Sequence, residues 1–501
     1  MKRIISLLLA LLVVAPTILM TSCAPATDAE SAQETDTGAE SESSRDGITH
    51  TEMHGVPKKD FEGENFHSYY FLESKNRPFY TAATATYYYF TDEEASGDPM
   101  KEALWKRTEL IVDHLNVSIT GEGYEDDGIA TVLYNEIVAD HDSYQQVMLH
   151  TIYGVEPLVA NGYLYDFAEL PYVDLDADWW DKADMEKLRL GKIYPYGRGD
   201  FVIPSPHIVT FNKTMIDDLN LKDPYKLVDN YQWTLDEMLT MAKAAGRDVD
   251  HDGEYWADAD VFGICVPEVS KFNSFLMSCG QPVSRKNSEG RLELCINTEK
   301  TVKIIEMFAD AAMIGGTLHV DMLDHTGINM DRLFSEGRAM FALYDPSFLE
   351  SLRDAEIDYG IVPYPMFDEY QRKYYSQDWG ILWAVPKQIR NPELVGSVSE
   401  LYSYFSKDTA VAAYYDKVLD GKLANDLDSR RMLDLIFESV SFDPVYNYFG
   451  FRSNIGSIAF VIGYHAINGS KDFASYYKAR ERDANLVIDE FYIKLKQSGG
   501  I

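Results

Sequence analysis

The sequence predicts an α/β fold divided into two large lobes. Its 501 residues are too many for one ordinary hydrophobic core and suit two. Strand-like and helix-like patterns alternate along the first third of the chain, which is typical of a largely parallel sheet covered by helices. The apolar fraction of 46% is that of a globular protein.

A secretion signal precedes the predicted fold. Two basic residues open the chain, an apolar run covers 4–20, and small residues lead to Cys23. The Met-Thr-Ser-Cys stretch at 20–23 resembles the lipobox of bacterial lipoproteins. This resemblance implies that 1–22 is a removed signal peptide and that Cys23 carries lipid such as palmitate. An ordinary signal peptide with an incidental cysteine and an uncleaved membrane anchor are the alternatives.

The mature chain is predicted to lie outside the cytoplasm, held at the membrane by Cys23. Residues 24–47 are small, polar and acidic without an aromatic residue, so we expect 23–57 to form an acidic tether. No second run of about 18 apolar residues occurs. The net charge of −36, from 81 acidic and 45 basic residues, argues against nucleic acid or an anionic bilayer as a partner.

The first third supplies the clearest secondary-structure signals. Asp98 followed by Pro99 is an N-cap and first-turn signal, and the helical spacing that follows ends at Asn116. Alternating strands and helices are predicted over 66–72, 99–116, 117–120, 129–139 and 144–150.

The middle of the chain reads as more helical. Thr234 is a good N-cap for one of its helices. The later predictions are helices over 236–245, 298–312 and 391–405, strands over 339–344 and 359–362, and a mostly helical last hundred residues.

Three cysteines remain after Cys23. Cys265, Cys279 and Cys295 are separated by 13 and 15 residues, which matches no metal-binding motif. We expect them to be buried as small apolar side chains, and one disulfide among them stays open as an alternative.

Several short stretches, in this order, resemble extracellular solute-binding lipoproteins of ABC importers, of the carbohydrate-type, maltose-binding-protein-like family. Each stretch alone is weakly specific, but the whole set in this order behind a lipobox is a strong resemblance. Two late stretches, 414–416 and 431–434, resemble a long subfamily of the Firmicutes type. The main matching stretches are 97–117, 161–166, 191–194, 211–213, 233–237, 334–341 and 360–365.

The resemblance implies a two-lobed periplasmic-binding-protein-like fold with a hinge and a ligand cleft between the lobes. The N-terminal lobe would comprise 58–167 plus 357–406, with 360–365 as the strand that returns to it. The C-terminal lobe would comprise 168–356 plus 407–501. The implied partners are a carbohydrate, in particular an oligosaccharide, and the transmembrane subunits of an ABC permease, with the receptor as a monomer.

Ligand residues are expected at strand ends and lobe junctions. A sugar site needs aromatic rings for stacking and polar groups for hydroxyls, and the chain has 34 Tyr, 24 Phe and 7 Trp. Trp179 and Trp180 are weaker candidates beside a helix start. For each candidate, packing is the alternative, and Arg198 and Asp200, in a Gly-rich loop expected after a strand, could form a local ion pair. The predicted ligand-binding residues are Glu73, Tyr153, Arg198, Asp200, Tyr344, Asp345, Asp378, Trp379, Trp383 and Arg452.

An acidic loop is the one metal candidate. Asp248, Asp250 and Asp252, followed by Gly253, match the front of a calcium loop, in which alternate carboxylates converge on a hard cation. Position 12 is Ala259 in place of the expected Glu, so Asp258 or Asp260 would have to complete a variant site. Structural Ca²⁺ and a solvated acidic turn are both open, and no other cofactor is predicted.

No catalytic activity is predicted. Gly-x-Ser-x-Gly, His-Glu-x-x-His and phosphate-loop motifs are missing from the sequence, and its 11 His residues are scattered. The sequence therefore predicts a lipid-anchored receptor that delivers a carbohydrate to an ABC permease. The alternative is a sensory or adhesive surface lipoprotein of the same fold that binds a non-sugar solute.

Overall fold

The computed structural model describes residues 54–71, 97–124, 129–150, 155–378, 381–418, 426–450 and 454–499. Lys59–Ile501 form one compact unit, to which every element below belongs. Cys23 and the predicted tether over 24–47 lie outside the described residues.

The strands of the described chain divide into two main sheets and two small ones. Their bounds are β1 (Asn65–Phe71), β2 (Ser118–Tyr124), β3 (Gln146–His150), β4 (Ile208–Asn212), β5 (Phe262–Val266), β6 (Ser284–Lys286), β7 (Leu292–Leu294), β8 (Leu318–Val320), β9 (Ala339–Tyr344), β10 (Tyr359–Val362), β11 (Ser376–Gln377), β12 (Ile381–Ala384) and β13 (Val440–Ser441).

Helices cover the sheets and make up most of the C-terminal part. Their bounds are α1 (Pro99–Leu115), α2 (Ile129–Val138), α3 (Glu156–Ala160), α4 (Lys182–Leu188), α5 (Lys213–Asp218), α6 (Pro224–Asp229), α7 (Leu235–Ala245), α8 (Ser274–Ser278), α9 (Glu299–Ala312), α10 (Met330–Ser335), α11 (Phe348–Ser351), α12 (Pro392–Ser406), α13 (Ala412–Val418), α14 (Leu427–Glu438), α15 (Pro444–Phe449), α16 (Asn454–Ala459), α17 (Val461–Asn468) and α18 (Phe473–Gln497).

The first sheet confirms the α/β reading of the first third. Its strand order is β12-β3-β1-β2, with β1 parallel to both β2 and β3 and with β12 antiparallel to β3. The predicted cap also forms, since the Asp98 carboxylate accepts hydrogen bonds from the backbone N–H groups of Met100 and Lys101. α1 ends at Asn116, whose φ of 47° is left-handed.

The second sheet corrects the expectation that the middle of the chain is mainly helical. Its order is β10-β4-β9-β5-β8. Every residue of β4 and β5 is buried, so neither strand shows the alternation that marks a half-buried strand. The predicted strand over 339–344 is present as the central β9, and the caps at Thr234 and Thr298 form as expected.

The strand over 359–362 lies in a different place from the one expected. It was predicted to return to the first lobe, but β10 pairs antiparallel with β4 of the five-stranded sheet. The chain reaches the four-stranded sheet only at β12. The other lobe boundaries remain a proposal.

Two connections between the main sheets matter for the site. The first crossing segment, 155–207, joins β3 to β4, and the second crossing segment, 363–380, joins β10 to β12. They meet where the backbone N–H of His207 donates to the Gln377 carbonyl at 2.9 Å. The chain therefore brings both connections to one point.

The described cysteines are free. Cys265 and Cys279 are buried, as expected for small apolar side chains, and Cys295 is half-buried. Burial raises the pKa of the Cys279 thiol to about 12 and that of Cys295 to about 11.

Candidate functional site

Six of the ten predicted ligand residues are described. Arg198, Asp200, Tyr344, Asp345, Asp378 and Trp383 all lie on or beside the crossing segments or at the end of β9. The remaining four stay predictions outside the described residues, namely Glu73, Tyr153, Trp379 and Arg452.

The Gly-rich loop lies beside the four-stranded sheet because two glycines allow close contact. Gly197 exchanges two backbone hydrogen bonds with Trp383 of β12, at 2.8 and 3.2 Å. The segment before the loop, 189–196, does not form the strand that was expected there. A Cβ at Gly197 would overlap the ring of Phe167, and one at Gly199 would lie 2.5 Å from the Trp179 carbonyl oxygen. Packing therefore fixes the backbone path that presents the intervening arginine.

Arg198 forms a buried ion pair across the two crossing segments. Its side chain and that of Asp378 are each 3% exposed, and Nη2 donates to Asp378 Oδ2 at 2.8 Å. Nε lies 3.8 Å from Asp181 Oδ2, and the guanidinium lies 4.1 Å from the centroid of the Phe442 ring. Among the described residues Nη1 has no hydrogen-bond partner, so its two N–H groups can serve a further acceptor.

This pair differs from the local ion pair that the sequence left open. Arg198 and Asp378 are 180 residues apart, so their pair is long-range. The backbone N–H of Asp200 donates to the Trp179 carbonyl at 2.9 Å, and its side chain is half-buried. The structure thus brings two predicted residues together and places the third beside them on the same loop.

A second polar group lies at the carboxyl ends of β5 and β9 in the five-stranded sheet. Tyr344 is the last residue of β9, and Lys271 follows β5 on a short 3-10 helix. Lys271 Nζ lies 4.4 Å from the centroid of the Tyr344 ring and 3.3 Å from His207 Nε2. His207 Nδ1 is 2.5 Å from Ser274 Oγ. Carboxyl ends of strands are where open α/β sheets bind ligands.

The His207 imidazole is neutral in this setting. Burial is the main cause that lowers its pKa well below the ordinary value, and the positive charge of Lys271 adds to this. A neutral imidazole can hold one donor and one acceptor at once. The group therefore joins a lysine amino group, an imidazole and a hydroxyl through contacts of 3.3 and 2.5 Å, and it places an aromatic face against the lysine.

Of this group the sequence singled out Tyr344, and it did not single out Lys271, His207 or Ser274. All three are placed by β4 and β5, which the sequence had not revealed as strands. Asp345, also predicted, accepts hydrogen bonds from the Ser347 backbone N–H at 3.0 Å and its hydroxyl at 2.5 Å. One oxygen of that carboxylate is therefore held in place by the turn after β9.

Trp383 packs within an aromatic cluster in this structure, and its ligand contact stays a prediction. Its side chain is 2% exposed. The ring lies 4.3 Å from that of Phe201, 5.5 Å from Tyr402 and 6.3 Å from Phe66, measured between centroids. An aromatic cluster of this kind belongs to the core, so Trp383 supports the sheet beside the candidate site.

Trp179 and Trp180 are held by one buried carboxylate. Glu400 of α12 accepts the indole N–H of Trp179 on Oε1 and that of Trp180 on Oε2, each at 2.7 Å. Oε2 also accepts the backbone N–H of Asp174 at 3.2 Å. Burial raises the pKa of Glu400 to about 7 against the opposing effect of these hydrogen bonds.

The acidic loop gathers a different set of carboxylates from the one predicted. Oxygens of Asp248, Asp250 and Asp260 lie within 4.8 Å of one another, and Asp252 is not among them. Asp260 is buried and accepts the backbone N–H groups of Val249 and Trp256 at 2.8 and 2.9 Å. Three carboxylates whose oxygens keep further lone pairs fit the donor preference of Ca²⁺.

A surface cavity of about 700 Å³ lies away from these groups, against β4, α5 and α6. None of the described predicted ligand residues lines it. Its lysines are paired with acids, as in Lys213 with Asp426 at 2.6 Å and Lys222 with Glu237 at 2.7 Å.

Over the described part of the chain, every helix is too short or too polar to cross a membrane.

Comparison with known proteins identifies the fold. No family model matches the chain, and no curated protein matches it. Solved structures do. An ABC substrate-binding protein from Listeria monocytogenes in complex with cycloalternan is 14% identical, with a TM-score of 0.53 over 83% of this chain and 99% of its own.

Two further neighbours cover similar shares. The galacto-N-biose and lacto-N-biose I-binding protein of the ABC transporter from Bifidobacterium longum is 10% identical, with a TM-score of 0.55 over 86% of this chain and 98% of its own. A solute-binding protein of an ABC transporter from Agrobacterium radiobacter K84, in complex with ribitol, is 14% identical, with a TM-score of 0.53 over 86% and 100%. The chain therefore has the two-lobed fold of ABC solute-binding proteins, and these neighbours are binding proteins and not enzymes.

Proposed function

We propose that this protein is the extracytoplasmic solute-binding receptor of an ABC importer and that its solute is a carbohydrate, in particular an oligosaccharide. The observation that carries the proposal is the shared two-lobed fold, which covers 83–86% of the chain in neighbours complexed with cycloalternan, lacto-N-biose and ribitol. The role is binding and delivery to permease subunits, without catalysis.

The proposed ligand position is between the two sheets. The carboxyl ends of β5 and β9 present the Tyr344 ring, Lys271 and Asp345 from one side. The crossing segments add Arg198 and Asp378. An aromatic face suits the C–H surface of a sugar ring, and charged donors and acceptors suit its hydroxyl groups. Glu73, Tyr153, Trp379 and Arg452 lie outside the described residues and stay predicted members of the site.

The proposal includes a lipid anchor on Cys23. Its support is the lipobox-like stretch at 20–23 and the acidic, aromatic-free tether that follows. An anchored receptor stays near the permease, which raises the local concentration of the captured solute there. Replacing Cys23 by serine should move the protein from the membrane fraction to the soluble fraction and abolish palmitate labelling. Unchanged membrane association of C23S would remove the lipid anchor from the proposal.

The test of the solute class is a thermal-shift screen of the mature chain. We expect stabilisation by a subset of oligosaccharides, with mono- and disaccharides, alditols, peptides, polyamines and phosphate esters as the other arms. A hit should bind more weakly to Tyr344→Ala and equally well to Tyr370→Ala, because Tyr370 is 90% exposed and lies outside the candidate site. Stabilisation by peptides or polyamines alone would overturn the carbohydrate assignment.

A further inference from the structure

Glu400 lies on α12 and binds the segment that leads to the loop carrying Arg198. It is 0% exposed and lies on the face of α12 that the strap 167–181 covers. Gly396, one turn earlier, shares that face, and a Cβ there would overlap the Pro171 carbonyl oxygen. The strap is therefore packed tightly against α12 at two successive turns.

The strap in turn holds the Gly-rich loop by backbone contacts. The Asp181 N–H donates to the Arg198 carbonyl at 2.9 Å, and the Asp200 N–H donates to the Trp179 carbonyl at 2.9 Å. Both residues that flank Gly199 are thus bonded to residues at the end of the strap. Of the two tryptophans held by Glu400, Trp179 accepts one of these bonds itself and Trp180 directly precedes Asp181. The carboxylate and the loop are therefore connected through a short chain of contacts.

The two carboxylate oxygens of Glu400 accept three hydrogen bonds, so both oxygens must act as acceptors. Oε1 accepts the Trp179 indole, while Oε2 accepts the Trp180 indole and the Asp174 N–H. A glutamine keeps only one acceptor oxygen and turns an N–H donor toward the other indole, and in a protonated glutamate the hydroxyl oxygen is a weaker acceptor than a carboxylate oxygen. An ionised carboxylate is the one group of this size that satisfies both tryptophans.

We infer that Glu400 is a positioning residue for Arg198: its ionised carboxylate fixes the Trp179–Trp180 pair, which fixes the loop that joins the two crossing segments. The inference rests on the proposed function only where solute affinity is concerned. The raised pKa of Glu400, about 7 through burial, supports a dependence on pH near neutrality. The negative charge of Asp174, whose backbone N–H donates to Glu400, also raises the pKa of Glu400.

The test is hydrogen exchange at single amides, which needs no solute. At pH 8, E400Q should lower the protection factors of the Asp181 and Asp200 amides about tenfold, because one indole loses its charged acceptor. Amides of β5 should not change. The matched control is E393Q on the exposed side of the same helix, where Glu393 accepts the Tyr172 hydroxyl at 3.0 Å, and it should leave both loop amides unaffected.

Acidification supplies the second readout. Between pH 8 and pH 5.5 the protection of these amides in the wild type should fall toward the E400Q level, whereas E400Q itself should show no such transition. The inference is overturned if E400Q equals the wild type at pH 8, or if the wild type shows no transition.

A double mutant keeps the inference testable if E400Q folds poorly. In W179F only one indole requires an acceptor, so adding E400Q should cost less protection there than in the wild-type background. Equal costs in both backgrounds would contradict the claim that the two indoles compete for acceptors. If the solute screen finds no ligand, these exchange results stand independently of the proposed function.

Discussion

The two polar groups near the crossing segments differ in how their positive charge is accommodated. Arg198 lies between the carboxylates of Asp378 and Asp181 and is fully enclosed. Lys271 lies against a neutral imidazole and the face of Tyr344. The first group sets its cation against carboxylates, and the second sets its cation against an uncharged ring system, with Lys271 8% and His207 3% exposed. Residues of both groups were predicted as ligand contacts with equal weight, so this difference is what the structure adds.

The sharpest way to break this comparison is to remove one partner of the buried pair. R198A should lower the free energy of unfolding by roughly 3–5 kcal/mol, because Asp378 would be left as an uncompensated buried charge. Urea denaturation followed by circular dichroism measures this. The matched control is R431A, which removes an exposed pair with Asp229 and should cost about 1 kcal/mol or less. A loss at Arg198 no larger than the control would deny it a structural role.

The second group should respond in the opposite way. Y344A should weaken binding of a confirmed solute by roughly 10- to 100-fold, since an aromatic stacking face contributes about 1–3 kcal/mol, as base–aromatic stacking does. Its effect on stability should be small because the side chain is only partly buried. Isothermal titration calorimetry, with Y370A alongside, separates the two properties. Full affinity in Y344A would place the solute elsewhere.

A third prediction concerns pH. Burial raises the pKa values of Glu156, Asp184 and Glu400 to about 7, and for Asp184 the negative charge of Asp181 adds to burial. A raised folded-state pKa means that the stabilising contribution is complete below the unfolded-state pKa and is lost as the pH rises through about 7. Stability should therefore increase by about 2 kcal/mol between pH 8 and pH 6.5.

Below pH 6.5 His207 acts against this trend. Its pKa is lowered by burial, so its contribution to stability is present above the unfolded-state value and is lost as the pH falls. Melting temperatures should thus rise less steeply below pH 6.5 than the three acids alone would make them rise, and E400Q should flatten the rise between pH 8 and pH 6.5. The same acidification is expected to loosen the Gly-rich loop while it stabilises the whole fold. A melting temperature independent of pH over this range would contradict the assignment of these buried acids.

The smallest expected effect is at the acidic loop. Calcium at 1 mM should stabilise the fold by about 1 kcal/mol if the affinity lies in the range of extracellular modules. D260N should abolish the effect, and D252N should retain it, because only Asp260 lies with Asp248 and Asp250. Calorimetric titration after EDTA treatment measures binding directly. An absence of heat at millimolar Ca²⁺ would leave a plain acidic turn.

The sequence predicted an element correctly where its signal depends only on neighbouring residues. The Asp98–Pro99 start of α1 depends on residues next to each other, and it forms as expected. β4 and β5 were missed because short, fully buried runs lack a period that separates strand from helix. Without those strands, His207 and Lys271 could not be placed at a sheet edge.

The sequence also could not predict which residues far apart in the chain would pair. Nothing in the Gly-Arg-Gly-Asp stretch points to Asp378, 180 residues away. The Trp179–Trp180 pair suggested a ligand surface because two adjacent indoles are conspicuous, yet their N–H groups are used by a glutamate on a helix 220 residues later. Side-chain chemistry indicates what a residue can bind, and only tertiary contacts decide which partner it has.

The Arg198–Asp378 pair also has a mechanical consequence. Because the two crossing segments are pinned together at one buried point, they cannot slide past each other without exposing or separating two charges. We therefore expect any relative motion of the sheets to be a rotation about that point. A pair of spectroscopic labels on opposite sheets would consequently report an angle of opening, and labels placed near the pivot would remain almost stationary.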